Sequence, residues 1–437
     1  MKEVKIVIGK NFGDEGKGAA VDRLCCDKNA LVVRHNGGAQ AGHTVEEGDF
    51  RFVFHQLGSG SLRGCPAYWS RTFLPDLLKL GAEMEDFCSE TERAGRASHN
   101  REDFLRKTCS QKRLGEFGSV PEACLLGDKS VIYAHPDCAC VTVLDVLLNS
   151  LKEELRGEER HGSCGMGIYE TVLRTRRKEY ALYLRDFQGA DTGRILWKLR
   201  NIRDQYTNER LKELREIYRD KYDDSKCRFW TQLIGDENVL YNAAADMVDN
   251  FRRYVILSDW HRLWPQFDTI VFENAQGLML DWDNEEYAPN LTASYTGLRN
   301  VAGLLEEAGA FDIPIEIFYV TRTYVTRHGA GRLDYECPRE EINGEMLDRT
   351  NLPNPWQGAL RFARHPAGED FFRYIRRDLA YLQGKYSVRV NLLLTHLDET
   401  KGKVLFSDQD RSPGELVQYC RELAPGICDC VLWDSGG

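Results

Sequence analysis

The sequence lacks the long apolar segment that a membrane protein needs. No run approaches the ~18–20 uninterrupted apolar residues of a membrane-spanning helix. The apolar run at residues 4–9 is too short for the core of a signal peptide, and no small-residue cleavage site follows it. We therefore expect no membrane segment and a cytoplasmic location.

The chain also lacks an excess of basic residues, with 58 Lys and Arg against 68 Asp and Glu and a formal net charge of −10. Proteins that bind nucleic acid or acidic membranes nonspecifically present a basic surface, so this balance argues against both partners. Small anionic ligands stay open, because a phosphate site depends only on local groups.

Zinc-site spacing is absent as well. The 14 cysteines include the close pairs Cys138/Cys140 and Cys428/Cys430, which do not follow the CxxC spacing of a structural zinc site. A disulfide framework is typical of small secreted chains, whereas this chain has 437 residues. We interpret the cysteines as buried or incidental thiols in a reducing compartment.

Five short segments rich in Val, Ile, Leu and Phe stand apart along the chain, as buried parallel strands do. They lie at residues 4–9, 30–34, 269–272, 315–320 and 388–394. Between them, residues 143–155 have helical periodicity, and the charge-rich residues 195–222 indicate a solvated surface helix. Residues 92–112 are polar and are interpreted as an insertion or a mobile loop.

This pattern predicts an α/β fold with a mainly parallel central sheet. With 42% hydrophobic and 29% charged residues, the chain is an ordinary globular sequence, long enough for one large unit. We expect a single domain over residues 1–437, with helical insertions near 85–135 and 190–262.

Each predicted strand ends in a polar or Gly-rich turn, at residues 10–18, 35–44, 273–277, 321–331 and 395–400. In an open parallel sheet, ligands collect beyond the carboxyl ends of the strands. These five turns are therefore where functional residues are expected.

The first turn contains GDEGKG at residues 13–18. Its glycines allow backbone amides to approach a phosphate, and Lys17 adds a positive charge. It departs from the GxxxxGK[ST] loop, because Gly18 stands where a hydroxyl would hold Mg²⁺. Asp14 could supply a hard oxygen for Mg²⁺ or act as a base. The alternative is a tight connection with an acidic exposed face.

The second turn, GGAQAGHT at residues 37–44, is another candidate anion cradle. His43 can donate a proton near neutral pH. The alternative is a structural or solvated histidine, and the position after a strand in a Gly-rich turn favours the functional interpretation.

Five motifs in order resemble the adenylosuccinate synthetase family. They are GDEGKG, GGAQAGHTV with FVFHQL, FENAQGLMLD (272–281), YVTRHGAG (324–331) and LTHLD (394–398). The resemblance implies a P-loop-like, GTPase-related fold and a homodimer. It also implies a ligase that uses GTP and Mg²⁺ to join L-aspartate to C6 of inosine monophosphate (IMP), releasing GDP and phosphate.

The family chemistry suits these residue types. The C6 oxygen leaves poorly, so it is phosphorylated before an amine displaces it, which needs a base at N1, a donor beside O6 and Mg²⁺. By resemblance, Asp14 is the base and a Mg²⁺ ligand, the Gly42 carbonyl is a second ligand, and His43 stabilises the transferring phosphoryl group. The resemblance further implies GTP contacts from Gly13, Glu15, Gly16, Lys17, Gly18, Thr44, His396 and Asp398, with Asp398 accepting from guanine.

For the acceptor side, the resemblance implies IMP contacts from Gln276, Thr292, Asn36 and Arg327, with Gln276 also catalytic. The segment GSCGMGI resembles a 5′-phosphate loop and brings in Gly162, Ser163 and Cys164. Arg174 or Arg176 takes the place of an arginine lent by a dimer partner. Gln357 and Arg361 are expected on the amino-acid side, where Arg361 could pair with a carboxylate.

Four departures concern mainly the acceptor side. The aspartate loop is replaced by NLPNPWQGALRF (351–362), His396 replaces a lysine, the phosphate loop has Cys164 and lacks three residues after Ile168, and the sequence stops at 434–437, where the family's base-binding turn begins. The acceptor therefore stays open.

One alternative is a 2-aminoadenylosuccinate synthetase acting on dGMP. Those enzymes carry a smaller residue at the position of Asp14, so its presence favours IMP. Another alternative is a catalytically silent nucleotide-binding regulator, suggested by the altered amino-acid loop. The joint presence of Asp14, Lys17, His43 and Gln276 counts against it.

Overall fold

The structure is a computed structural model that describes residues 2–26, 28–97, 131–157, 164–223, 225–345, 358–425 and 427–432. Its strands are β1 Glu3–Gly9, β2 Ala30–Arg34, β3 His43–Glu47, β4 Phe50–Phe54, β5 Ala67–Trp69, β6 Ile132–Ala134, β7 Val255–Leu257, β8 Thr269–Gly277, β9 Ile315–Arg322, β10 Val325–Arg327, β11 Glu336–Cys337, β12 Arg361–Ala363, β13 Val388–Thr395 and β14 Ile427–Leu432.

Within the described residues, nine strands form one sheet in the order β14-β13-β9-β1-β8-β2-β5-β6-β7, and all neighbours pair in parallel. The predicted α/β class with a parallel sheet is confirmed. All five predicted strands are present, and they are the adjacent strands β13, β9, β1, β8 and β2 at its centre. Strand β14 at one edge and strands β5, β6 and β7 toward the other were not predicted.

The predicted turn at 273–277 is wrong, because β8 continues to Gly277. Its first two polar residues, Glu273 and Asn274, are completely buried and have partners inside the fold. The Asn274 side-chain amide donates to the Thr296 carbonyl at 2.5 Å, and the Glu273 carboxylate accepts from the Ser59 backbone amide at 3.0 Å. Polar residues that look like the end of a strand are here a buried part of it.

The α-helices are α1 Lys17–Leu24, α2 Leu77–Ala97, α3 Val143–Arg156, α4 Ile168–Thr175, α5 Thr192–Asn201, α6 Asn208–Tyr218, α7 Ser225–Gly235, α8 Glu237–Tyr254, α9 Trp260–Leu263, α10 Arg299–Glu307, α11 Arg339–Asn343, α12 Arg373–Leu379 and α13 Pro413–Leu423. A π-helical segment, Ile202–Thr207, joins α5 to α6. Short 3₁₀ segments lie at Ser59–Arg63, Lys178–Tyr180, Leu184–Phe187, Arg219–Asp223, Trp264–Gln266, Leu278–Leu280, Glu285–Tyr287, Gly368–Phe371 and Asp398–Thr400.

Two helix predictions need correction. Residues 92–97 continue α2 and are not a loop, and the remainder of the segment 92–112 lies outside the described residues. The helix predicted at 195–222 is not simply solvated, because Ile195, Leu199 and Leu214 are buried. This face packs in a hydrophobic cluster with α3, α7 and α8, so part of the charge-rich segment contributes to the core.

The main core lies against the sheet and includes Ile6, Phe272 and Ile317 from its central strands. Helix α3 begins with a capping box, in which the Thr142 side chain and the Asp145 carboxylate satisfy each other's backbone amides. None of the helices in the described part of the chain is long and apolar enough to span a membrane.

Candidate active site

The turn after β1 runs directly into α1, which has no side-chain cap at its N-terminus. The uncapped amides of this end favour an anion. Gly13 and Gly16 have φ angles of 115° and 84°, a region that residues with a Cβ rarely adopt. The loop therefore takes a conformation that requires its glycines, and it leaves the helix N-terminus without a side-chain cap.

Glu15 is turned into this loop. Its carboxylate accepts from the backbone amides of Asn11 at 3.0 Å and Gly13 at 2.9 Å, and it lies 3.3 Å from the Lys17 ammonium. Only 2% of its surface is exposed. The side-chain oxygens of Glu15 are thus occupied in shaping the loop, and its contact with the nucleotide stays a prediction. Lys17 also donates to the Gly13 carbonyl at 2.7 Å, which holds its charge inside the turn.

The first and second turns are packed against each other at Gly18. A Cβ at this position would lie 2.7 Å from the Thr44 carbonyl oxygen and 2.9 Å from the His43 backbone. Only glycine allows this approach. It places His43, at the start of β3, beside the N-terminus of α1.

His43 is held by a buried carboxylate, Glu273. The His43 Nδ1 and the Glu273 Oε1 are 2.6 Å apart, and both side chains are almost completely buried. Glu273 also accepts from the Ser59 amide and hydroxyl and lies 3.9 Å from the Arg34 guanidinium. Because a carboxylate only accepts, Nδ1 carries the proton and Nε2 is the ring nitrogen available to a ligand.

Burial lowers the pKa of His43 to about 4. Burial acts to raise the pKa of Glu273, but the charges of His43 and Arg34 and the hydrogen bonds hold it at about 2. At neutral pH the pair is therefore an anionic Glu273 and a neutral His43 that donates to it.

Asp14 lies in the same region. Burial raises the pKa of its carboxyl, while the charges of His328, Arg322 and Lys17 act in the opposite direction. The Arg322 Nε donates to the Asp14 carbonyl at 2.5 Å, which holds the loop in place. A raised pKa suits a general base, because it brings the carboxylate closer to neutral pH.

One cleft of about 540 Å³ brings together eight of the predicted residues. They come from segments far apart in the sequence and are Gly13, Asp14, Gly42, His43, Cys164, Gln276, Thr292 and Arg327. Gln276 has a φ of 68°, a strained conformation for a non-glycine residue, and its Cα would lie 3.0 Å from a Cβ at Gly13. Such strain is concentrated at functional sites, and Gln276 lies beside the first turn.

Asn36 is not in this cleft, which corrects its assignment. It is completely buried, and its amide donates to the Ala275 carbonyl and accepts from the Ala275 N–H, both at 2.8 Å. Asn36 therefore positions the backbone that precedes Gln276. Gln40, from the same turn, lines the cleft instead, and neither atom of its buried amide has a hydrogen-bond partner among the described residues.

Arg174 cannot be lent to a partner subunit. It is fully buried, its Nε and Nη2 donate to the Asp145 carboxylate at 2.9 and 2.8 Å, and Nη1 donates to the Tyr180 carbonyl at 2.6 Å. Arg176 is exposed beside the Trp282 ring, 5.6 Å from its centroid. Of the two arginines, Arg176 is the one that can reach another molecule.

Arg327, predicted as an IMP contact, and Arg361, predicted on the amino-acid side, have different surroundings. Arg327 is buried, lines the cleft and lies 4.6 Å from the centroid of the Phe12 ring. Burial lowers its pKa to about 10. Arg361 does not line the cleft, because its Nε donates to the Glu336 carboxylate at 2.8 Å and its Nη1 donates to the Gly331 carbonyl at 2.8 Å. It holds the loop after Arg327.

The predicted guanine contacts lie on the other side of the first turn. The Thr395 hydroxyl donates to the Glu15 carbonyl at 2.8 Å and ties the end of β13 to that turn. His396 follows with a φ of 59°, and Asp398 is exposed. Thr44 is half-buried at the start of β3.

The residues present fit a magnesium ion in the manner of phosphoryl-transfer enzymes. The described residues contain no group of three or more His, Cys, Asp or Glu side chains that could hold a metal. Mg²⁺ often binds through one or two carboxylates and completes its shell with substrate phosphates and water. Asp14 and Gly42 line the same cleft and supply a carboxylate and a carbonyl.

Gly162, Ser163 and Gln357 lie outside the described residues.

The sequence interpretation missed Glu273 and Gln40. A charged residue inside an otherwise apolar strand was the available signal for Glu273, because a buried carboxylate needs partners. His328 was also missed, although it lines the cleft.

Comparison with known proteins adds a family match. The adenylosuccinate synthetase family model matches residues 6–98 and 113–351. An adenylosuccinate synthetase of Acinetobacter baylyi is 26% identical over 343 residues, which cover 75% of this chain and 62% of the relative. One of Anaeromyxobacter dehalogenans is 27% identical over 456 residues, covering 98% and 89%. The chain thus spans less than two thirds of the length of some of these relatives.

Two solved structures share the fold. A fully ligated adenylosuccinate synthetase from Plasmodium falciparum superposes with a TM-score of 0.57 at 18% identity, covering 92% of this chain and 79% of that one. The succinoaminodeoxyadenylate synthetase of cyanophage S-2L, bound to dGMP and to dATP as an energy donor, superposes with a TM-score of 0.56 at 14% identity, covering 100% and 93%.

Proposed function

Because this chain belongs to the adenylosuccinate synthetase family, we propose that it is a GTP-dependent ligase that joins L-aspartate to C6 of IMP. The products are adenylosuccinate, GDP and phosphate. The observation that carries the proposal is the cleft in which Asp14, His43 and Gln276 meet, from three segments distant in the sequence.

The first step is the phosphorylation of O6. The Asp14 carboxylate takes the proton from N1 of the purine, and the electron pair moves to O6, which attacks the γ-phosphorus of GTP as the bond to GDP breaks. The raised pKa of Asp14 suits this role. Gln276 and Thr292 line the same cleft and hold the acceptor.

His43 stabilises the transferring phosphoryl group. In the free protein Nδ1–H donates to Glu273, and Nε2 faces the ligand as an acceptor. An approaching phosphoryl anion favours the protonated ring, which then donates from Nε2 while Glu273 balances its charge. In the second step the amine of aspartate attacks C6, and phosphate leaves with the C6 oxygen.

The nucleotide and metal contacts complete the proposal. The phosphates of GTP lie at the open N-terminus of α1, Lys17 adds local positive charge, and Asp398 accepts from the guanine base. Asp14 and the Gly42 carbonyl would hold Mg²⁺, which supplies neutralisation of the phosphoryl charge.

We further propose a cytoplasmic homodimer of single-domain chains, in which Arg176 reaches the partner's acceptor phosphate. Its exposure supports this role. Arg176→Met should raise the KM for IMP by about tenfold, the loss of one charge-assisted hydrogen bond. The exposed Arg177, paired with Glu209, provides the matched control as Arg177→Met.

A direct test combines substitution with product analysis. Asp14→Asn and His43→Ala should each nearly abolish phosphate release with GTP, Mg²⁺, aspartate and IMP. Both variants, like the parent protein, should still unfold in one cooperative transition. A near-normal rate in either variant would refute the assigned mechanism. Asp398→Asn should weaken the binding of GTP and allow xanthosine triphosphate to act as the phosphoryl donor. An unchanged nucleotide preference would refute the guanine contact.

A second candidate acceptor is dGMP. It is favoured by the similarity of the fold to the cyanophage enzyme, which covers the whole of this chain and was solved with dGMP. A side-by-side assay with IMP and dGMP, and with GTP and dATP as donors, separates the two. We favour IMP because the enzymes that act on dGMP carry a smaller residue at the position of Asp14.

A further inference from the structure

A second cavity, of about 350 Å³, lies next to the cleft and contains none of the predicted site residues. Its size is at the lower end of the ~300–1,000 Å³ of small-molecule sites. Phe12 separates the two, because it lines both the cleft and this second cavity. Phe12 comes directly before Gly13 and Asp14, so the second cavity borders the catalytic turn.

The floor of the second cavity is apolar. Phe12, Met279, Val325 and Leu333 are each less than a tenth exposed and belong to one hydrophobic cluster. Tyr287 stands edge-on to Phe12, with ring centroids 5.4 Å apart at an interplanar angle of 83°. Such a floor accepts a planar ring by stacking and edge contacts.

The rim carries balanced charges. Three arginines face three carboxylates, and these are Arg332, Arg364 and Arg373 against Glu286, Asp334 and Asp370. Asp334 is paired with Arg332 at 2.7 Å and accepts from the Tyr287 hydroxyl at 3.0 Å. Glu286 is paired with Arg373 and accepts from the Tyr374 hydroxyl at 2.9 Å. A balanced rim gives no net attraction for a phosphorylated molecule, whereas carboxylates accept N–H and O–H donors.

Tyr335 stands at the mouth of the second cavity. It is 51% exposed, and its φ of 56° lies in the left-handed region. A large non-glycine residue in that conformation is strained, and such strain is concentrated at ligand-binding positions. The ring is thereby presented to solvent at the rim, where it can cover a bound planar molecule.

We propose that the second cavity binds an uncharged heteroaromatic molecule of nucleobase or nucleoside size. Its ring lies on the apolar floor beneath Tyr335, and its N–H or O–H groups donate to the rim carboxylates. Occupancy presses on Phe12 and so modulates the turn that carries Asp14. The effect on turnover rests on the proposed ligase activity, but the binding does not.

The test is calorimetric titration of the full chain with adenosine. Tyr335→Ala should weaken binding by about tenfold, the size of one stacking contact. The matched control is Tyr381→Ala, because Tyr381 is similarly exposed and is not part of the second cavity. Gln276→Ala marks the cleft, which could also accept a nucleoside.

Loss of adenosine binding in Tyr335→Ala, with retention in Tyr381→Ala and Gln276→Ala, supports the proposal. Loss only in Gln276→Ala places the nucleoside in the cleft and overturns it, as does no binding at millimolar adenosine. Tighter binding of AMP that depends on Tyr335 overturns the uncharged class. The coupling through Phe12 is tested by turnover assays. Adenosine should change the turnover rate of the parent protein and leave that of Tyr335→Ala unchanged.

Discussion

Replacement of Glu273 by Gln tests the role of the buried pair behind the cleft. Glu273→Gln keeps the shape of the side chain and removes the charge that His43 contacts at 2.6 Å. The imidazolium that forms during phosphoryl transfer then lacks its balancing anion. A hydrogen bond to a charged group contributes about 1.5–3 kcal/mol, which corresponds to a loss in kcat of about 10- to 150-fold.

The assay is steady-state phosphate release at pH 7 with all three substrates. Glu273 does not line the cleft, so the KM values should stay within about twofold, while kcat falls. The control is Glu46→Gln, an exposed carboxylate on the same strand as His43, which pairs with Arg51. Urea unfolding of both variants separates catalysis from stability.

A kcat of Glu273→Gln within twofold of the parent protein would contradict the proposed role of Glu273, because His43 would then act without its anionic partner. A rise in KM at unchanged kcat would also contradict it, since that result indicates a binding role.

Three other predictions concern a buried ion pair, a buried histidine and an amide that lines the cleft. Arg174→Met should cost about 3–5 kcal/mol in urea unfolding, because it leaves Asp145 buried without its partner, whereas Arg177→Met should change little. Burial lowers the pKa of His35 to about 3, so between pH 6.5 and 3 the unfolded chain binds a proton that the native chain does not. The free energy of unfolding therefore decreases by about 1.4 kcal/mol for each unit by which the pH is lowered through this range. His35→Phe should remove this decrease when unfolding at pH 7 and at pH 5 is compared. Gln40→Ala should raise the KM for IMP by about tenfold with kcat largely kept, and an unchanged KM would exclude Gln40 from the acceptor site.

Much of the fold could be predicted because the central strands are continuous apolar runs. Strands β1, β2, β9 and β13 are buried on both faces, so their composition alone separates them from the helices. Strands β5, β6 and β7, on one side of the sheet, have three residues each and carry too short a pattern to be recognised. The polar end of β8 was misinterpreted because its partners come from distant segments.

The site was predicted through residue types in turns, and the errors concern orientation. Asn36 and Gln40 are both amides in one turn, yet only Gln40 lines the cleft. Arg174 lies in α4 and Arg176 follows its last residue. Because they are two residues apart, helical geometry turns Arg174 inward and Arg176 outward. Sequence patterns place such residues near the site, but packing decides which of them contact a ligand.

The central claim is tested most directly by phosphate release from the purified protein with GTP, Mg²⁺ and aspartate, comparing IMP with dGMP and identifying the products by mass. If the chain is the proposed ligase, phosphate is released with IMP and the product is a succinyl-purine nucleotide. Release only with dGMP would replace the acceptor, and binding of GTP with no release in either case would contradict the ligase assignment.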